Sequence, residues 1–364
     1  MAKHHRPTQA AIYLHHIGHN YTHVQQTIAP KTVIPVLKAN AYGHGSVPVA
    51  RYLYRLGVRL FAVSLMEEAL ELKDALPDID VLVMGLTGPK DFETAVNRDV
   101  IITVFDESVA EELLKRTHSI RFHLKVDTGM NRLGFKHDED VIAFMQRVKA
   151  ESNLRMEGIY THFATADSNP EYYRYQQERF ALLLKKIPFT PPMVHASNSS
   201  SAIKYEQAMP YTTHARVGIL LYGLTLDKGL DFLKPAMRLT TRVMHLKQLQ
   251  KGERISYNIT YEATTDERIA VLPIGYADGL IRKNQGGDVS IHGKRYPIVG
   301  RVCMDQTLIR VDEDVKLNDC VHIMGDNPIH IDEVAERLDT INYEVVTQVG
   351  ARVPRVYYDK EVTP

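Results

Sequence analysis

From Thr32 onward, short apolar and β-branched runs alternate with longer stretches in which apolar positions recur three and four apart. The short runs have the length and composition of buried strands, and the longer ones have the period of amphipathic helices. This pattern predicts eight strands, around Val33 to Lys38, Leu60 to Ser64, Asp80 to Met84, Val100 to Val104, Ile120 to Val126, Met156 to Thr161, Met193 to Ala196 and His214 to Val217. Helical patterns lie between them, as in Met66 to Leu72, Ser108 to Lys115 and Val141 to Val148. Such alternation implies parallel strands joined by crossover helices. Eight consecutive units predict an α/β fold, a (β/α)8 TIM-type barrel, although an open doubly wound sheet would share the local pattern. The polar residues favour the barrel. Lys38, Lys125, His162, Asn198 and Arg216 each fall at or just past the C-terminal end of a different strand, where a barrel gathers its reactive groups.

After Leu230 the pattern shortens to alternating segments, Arg242 to Leu246, Arg268 to Leu272, Asp288 to Ile291 and Thr307 to Val311, punctuated by turns such as Lys251-Gly252-Glu253 and His292-Gly293-Lys294. This predicts a mostly-β C-terminal domain. A helix over Asp332 to Asp339 and a second near Tyr343 precede a closing strand, Arg355 to Tyr358. The expected domains are 10–228 and 229–364, with the boundary at Lys228-Gly229 and no low-complexity linker between them. Tyr172-Tyr173-Arg174-Tyr175 is expected to form an outer packing face.

Charge narrows the function. Among 364 residues there are 44 basic and 44 acidic side chains, so no long-range field gathers nucleic acid or an anionic membrane, and a small-molecule partner is expected. No apolar run approaches the ~20 residues of a spanning helix, and the polar N-terminus, Met1 to Gln9, leads into a mixed segment. A cytoplasmic protein is predicted. Cys303 and Cys320 lack zinc spacing and are expected to be free thiols. The pairs His4-His5 and His15-His16 suggest a metal, but adjacent side chains diverge and no ligand cluster accompanies them, so no metal site is predicted.

The tetrad Val36-Leu37-Lys38-Ala39 runs into Asn40-Ala41-Tyr42-Gly43-His44-Gly45 and places one lysine where an apolar strand ends. Burial of its stem disfavours the ammonium form, which suits an amine that must form a Schiff base with a carbonyl cofactor. Taken alone, the tetrad also fits a surface lysine beside a glycine-rich turn.

Further motifs follow in order: Lys125 to Phe135, Thr161-His162-Phe163-Ala164, Asn198-Ser199, Arg216-Val217-Gly218-Ile219, Ser256-Tyr257, Gly275-Tyr276-Ala277-Asp278-Gly279 and Arg301-Val302-Cys303-Met304-Asp305. With the Lys38 segment they make the chain resemble the alanine racemases, from about Ala11 to Tyr358. The resemblance implies an enzyme that interconverts L- and D-alanine with pyridoxal 5'-phosphate carried on Lys38. It implies a homodimer in which Tyr257 of the partner supplies a second base, because one group cannot reach both faces of a planar carbon. Arg216 is implied at the pyridine nitrogen, where a guanidinium cannot protonate the ring, with His162 orienting it. Arg132 is implied at the phenolic oxygen and the substrate carboxylate.

The same resemblance implies a carbamylated Lys125; read from the residues alone, Lys125 could instead pair with Asp127. Tyr42, Asn198, Ser199, Gly218, Ile219 and Tyr343 are implied to hold the cofactor, and Tyr276, Met304 and Asp305 to line the substrate channel. Asn131 and Asn258 stand where many relatives have glycine, and Val217 where proline is common; asparagine tolerates the left-handed backbone, so the same loops are expected. A serine or broad-specificity racemase is the alternative, and a barrel decarboxylase or a non-catalytic cofactor-binding protein is disfavoured by Arg216 and by the β domain with Tyr257. Supply of D-alanine for peptidoglycan synthesis is the implied role.

Overall fold

The computed structural model describes residues 5–150 and 154–360; His4 and the rest of residues 1–4 lie outside them. The eight expected strands are present as β2 (Thr32–Pro35), β3 (Leu60–Val63), β4 (Asp80–Val83), β5 (Ile102–Val104), β6 (Ile120–Lys125), β7 (Leu154–Tyr160), β8 (Met193–His195) and β9 (His214–Val217), after a first strand, β1 (Gln9–Tyr13). Six of the eight form one parallel sheet in the order β2-β9-β8-β7-β6-β5, and β3 pairs with β4. Single bridges, Val36 to Ala62 and Leu82 to Ile101, join the two sheets and close the circle. The fold is therefore a barrel and not an open sheet. Fully buried Ile34, Phe61, Leu82, Ile102, Phe122 and Ile159 show why near-continuous apolar runs marked its strands.

The β-rich half comprises β10 (Met237–Arg242), β11 (His245–Leu249), β12 (Arg254–Ile255), β13 (Tyr261–Glu262), β14 (Glu267–Leu272), β15 (Asp288–Ile291), β16 (Lys294–Pro297), β17 (Thr307–Val311), β18 (Cys320–Met324) and β19 (Arg355–Tyr358). Two expectations are corrected here. The segment Arg242 to Leu246 is the junction between two strands, with buried Val243 turning the chain from one sheet into the next. The barrel domain expected over 10–228 does not own its first strand: β1 lies between β10 and β19 in the β domain's sheet, pairing Ala10 with Leu239 and with Arg355. From β1 the chain crosses into the barrel through the helix Leu14–Ile28. This exchange ties the two units together, and one hydrophobic core runs through both.

Candidate active site

At the C-terminal ends of the barrel strands the backbone itself is unusual. Lys38 opens a short turn, Lys38–Tyr42, in which Ala39, Asn40 and Ala41 have φ near 53° and ψ near 50°, and Tyr42 has φ 52°. A left-handed conformation costs an L-residue roughly 1–2 kcal/mol, so surrounding bonds must hold it. Glu68 accepts from the Ala39 amide at 2.6 Å, and Asn40 Oδ1 accepts from the Ser46 amide at 2.8 Å. His44, held neutral by burial that lowers its pKa to about 4, faces the Ala41 and Tyr42 carbonyls through Nδ1 at 3.1 and 2.9 Å. The turn ends at Gly43 (φ 81°), where a Cβ would sit 2.5 Å from the Val346 carbonyl oxygen.

This rigid turn presents Lys38. Burial of its amine, and then Arg132, lower its pKa, with Glu68 opposing. Lys38, Lys125, Arg132 and Arg216 all act electrostatically on His162, so the mouth gathers cations around one neutral imidazole. Lys125 is only 5 % exposed, and burial together with Arg216 and Arg132 lowers its pKa to about 7. The alternative pairing with Asp127 is not made. Asp127 instead accepts the Gly129 and Asn131 amides at 2.9 and 3.0 Å, and the Lys125 ammonium lies 4.8 Å over the Tyr160 ring.

Arg216, 3 % exposed, donates through its two terminal nitrogens to His195 Nδ1 (2.7 Å), the His195 carbonyl (3.2 Å), the Thr161 carbonyl (2.8 Å), His162 Nδ1 (3.2 Å) and the Ala196 carbonyl (3.0 Å). None of these bonds uses Nε. Burial lowers its pKa to about 10, which leaves it charged at neutral pH.

On the other side of the mouth, Ser199 Oγ accepts from the Gly218 amide at 3.0 Å, Asn198 caps the short helix Ser199–Lys204, and Ile219 begins a 3-10 turn. Tyr42 and Tyr343 face each other with ring centroids 6.2 Å apart. A Cβ at Gly218 would lie 2.5 Å from the Tyr42 hydroxyl, so the absence of a side chain there makes a cradle, and the Oγ of Ser200, next in sequence to Ser199, is buried without a partner among the described residues. Hydroxyls and amides gathered around such a gap suit a phosphate, a desolvated lysine suits an aldehyde, and Arg216 offers Nε to a ring nitrogen. The donor set fits pyridoxal phosphate.

The β-domain residues are placed differently. Tyr257, in the turn Tyr257–Ile259, is 65 % exposed; Tyr276 and Met304 are 43 % and 52 % exposed; Asp305 pairs with Arg352 at 2.7 Å. They form one braced patch. The Tyr276 amide bonds the Cys303 carbonyl, the Ala277 amide bonds that of Met304, and Ser256 Oγ bonds the Arg301 carbonyl. Asn131 and Asn258 take φ 56° and 60°, the left-handed values glycine would supply.

Sequence reasoning missed Tyr160, His195 and His123. Strand register aligns Lys125, Tyr160, His195 and His214 as one row across β6 to β9. The available signal was polar residues two apart on single strands, His123/Lys125, Tyr160/His162 and His214/Arg216, which mark a polar face inside a barrel. Among the described residues no group of three or more His, Cys, Asp or Glu is placed to hold a metal ion, and both cysteines are free. None of the described helices is long and apolar enough to cross a membrane.

A strand-end lysine on a strained turn, an arginine locked by five hydrogen bonds at the same barrel mouth and an appended β domain define a barrel enzyme with a cation-rich pocket. Residues 12–226 match the alanine racemase N-terminal domain family and residues 236–357 match its C-terminal domain family. An alanine racemase of Geobacillus stearothermophilus is 40% identical over 97% of this chain and 94% of its own length. The crystal structure of alanine racemase from E. faecalis superposes with a TM-score of 0.93 at 36% identity, covering 97% of this chain and 99% of that one. A histidine racemase from Leuconostoc mesenteroides reaches a TM-score of 0.88 at 29% identity, covering 98% and 99%. The chain belongs to the alanine racemase family of amino-acid racemases.

Proposed function

We propose that this chain interconverts L- and D-alanine with pyridoxal phosphate held by Lys38, as a homodimer whose active sites are each built from two chains. The observation that carries this reading is the split between a cation-rich barrel mouth and an exposed tyrosine on the β domain. When bound, the cofactor supplies an electron sink that acidifies the substrate Cα–H. Tyr42, Ser199, the Gly218 and Ile219 amides and Tyr343 would hold its phosphate, the Gly218 amide turning to it from Ser199 Oγ, and Asn198 fixes the start of the Ser199 helix. Arg216 sets a fixed positive charge at the ring nitrogen without giving it a proton, and His162, neutral and accepting through Nδ1, keeps the guanidinium in place. Arg132 binds the substrate carboxylate. Lys125, with a pKa near neutrality, is poised for carbamylation, which would turn a cation into an anion that braces Arg132.

Lys38 moves a proton at one face of Cα, and Tyr257 of a second copy moves one at the other. Tyr276, Met304 and Asp305 of that copy border the entrance. A carrier protein would have no use for this second base. The free thiols and balanced charge agree with a cytoplasmic enzyme, and D-alanine for peptidoglycan is the role proposed for its product.

The test is incubation of the holoenzyme with L-alanine in deuterated water. Optical rotation should vanish while deuterium replaces the Cα proton, and L-serine and L-histidine run beside it should exchange far more slowly. Retention of rotation and of the proton would overturn the reading; faster exchange of serine or histidine would overturn the substrate.

A further inference from the structure

Behind Arg216 the structure holds a pair of buried imidazoles that the reaction as described does not use. His195 and His123 are both fully buried. His195 Nδ1 lies 2.7 Å from Arg216 Nη1, and His195 Nε2 lies 2.8 Å from His123 Nδ1. A guanidinium has only donors, so His195 Nδ1 must accept. A neutral imidazole carries one N–H, which then belongs on Nε2 and donates to His123 Nδ1. His123 in turn carries its proton on Nε2, and that atom is buried with no partner among the described residues. One charge thus dictates the tautomer of two rings in series, and a proton added to His195 would set two donors against each other.

The surroundings are shaped for this chain. The His195 ring stacks on Tyr160, with centroids 4.7 Å apart and planes at 10°, while Arg216 lies 5.0 Å over the same tyrosine. Opposite His123 in the strand register stands Gly158, where a Cβ would meet His123 Nδ1 at 2.6 Å. Any side chain there would push the ring out of line.

We propose that His195 and His123 are positioning residues, a hydrogen-bonded chain of fixed tautomers that holds the Arg216 guanidinium in the orientation that leaves Nε for the cofactor's ring nitrogen. This rests on the reading of Arg216 given above. It also accounts for a buried imidazole with an unpaired N–H at a place where phenylalanine would fill the space without that penalty.

The direct test is 15N NMR of the holoenzyme labelled at histidine, which reads each imidazole's tautomer whether or not the protein racemises anything. His195 and His123 should both appear as neutral rings protonated at Nε2; a His195 protonated at Nδ1 overturns the proposal. In His123→Phe, His195 should lose its single tautomer and kcat for alanine should fall on the order of 10-fold with KM little changed. His123→Asn, which keeps an acceptor at the Nδ1 position, should restore most of it. Gly158→Ala, which displaces the ring while keeping every titratable group, should behave as His123→Phe does. Native kcat in both, with the fold intact by circular dichroism, would refute the positioning role. A wild-type holoenzyme that shows the expected tautomers but does not racemise alanine would overturn the proposed function instead.

Discussion

Lys38 and Tyr257, the two groups proposed to move protons, stand in opposite surroundings. The lysine rides on a left-handed turn pinned by Glu68, Asn40 and His44 and is driven toward its neutral form by burial and by Arg132. The tyrosine is 65 % exposed on a turn whose Ser256, Asn258 and Ile259 also have positive φ. Both turns carry backbone strain, which clusters where geometry must be exact for function. Only the first is enclosed by its own chain. The barrel mouth is enclosed by its own chain and the tyrosine patch faces outward, which is what the proposed two-chain site would require of each chain.

The largest break in this comparison comes from its enclosed half. Lys38→Ala should leave purified protein unable to fix pyridoxal phosphate by borohydride reduction and should lower racemisation on the order of 10^4-fold or more; covalent labelling that persists would remove Lys38 from its role. Tyr257→Phe, on the exposed half, should cost on the order of 10^2- to 10^4-fold, with one substrate enantiomer slowed more than the other. Equal losses in the primary isotope effects of both directions would argue against bases on two faces.

Gly218→Ala sharpens the picture of the phosphate cradle. Its Cβ would stand 2.5 Å from the Tyr42 hydroxyl, and overpacking of this kind costs roughly 1–3 kcal/mol. Pyridoxal phosphate titrated by absorbance should bind about 10- to 100-fold more weakly, and the melting temperature of the apoenzyme should fall by a few degrees.

The last effect is electrostatic. Lys125 has a folded pKa of about 7 against an ordinary 10.5. Between those values the unfolded chain binds more protons, so this residue's penalty is complete below pH 7 and fades as pH rises. Urea midpoints should gain less with pH over that window in Lys125→Met than in the native chain. A carbamate on Lys125 would appear as a 13C resonance after equilibration with labelled bicarbonate, absent from the same variant.

Much of this was readable before any coordinates. Buried parallel strands are near-continuous apolar runs, so all eight barrel strands announced themselves, and helices such as Ile331–Leu338 followed their period closely. Lys38 and Arg216 were visible as charged residues at the ends of apolar strands, and the resemblance to the alanine racemases supplied their roles. What local pattern could not carry was long-range pairing. Nothing in Gln9 to Tyr13 says that its partners lie more than 200 residues away in β10 and β19. His195 and His123 were hidden for a related reason, since the bond that gives them meaning crosses from β6 to β8.

The shared site is the central claim, and complementation between two inactive variants tests it most directly. Lys38→Ala and Tyr257→Phe chains, when co-expressed, form hybrids that place both lesions in one site and leave the other intact. With random pairing, half the dimers are hybrids with one working site of two, so about a quarter of native activity should return. If hybrid dimers form and activity stays at the level of the separate variants, Lys38 and Tyr257 do not meet across two chains.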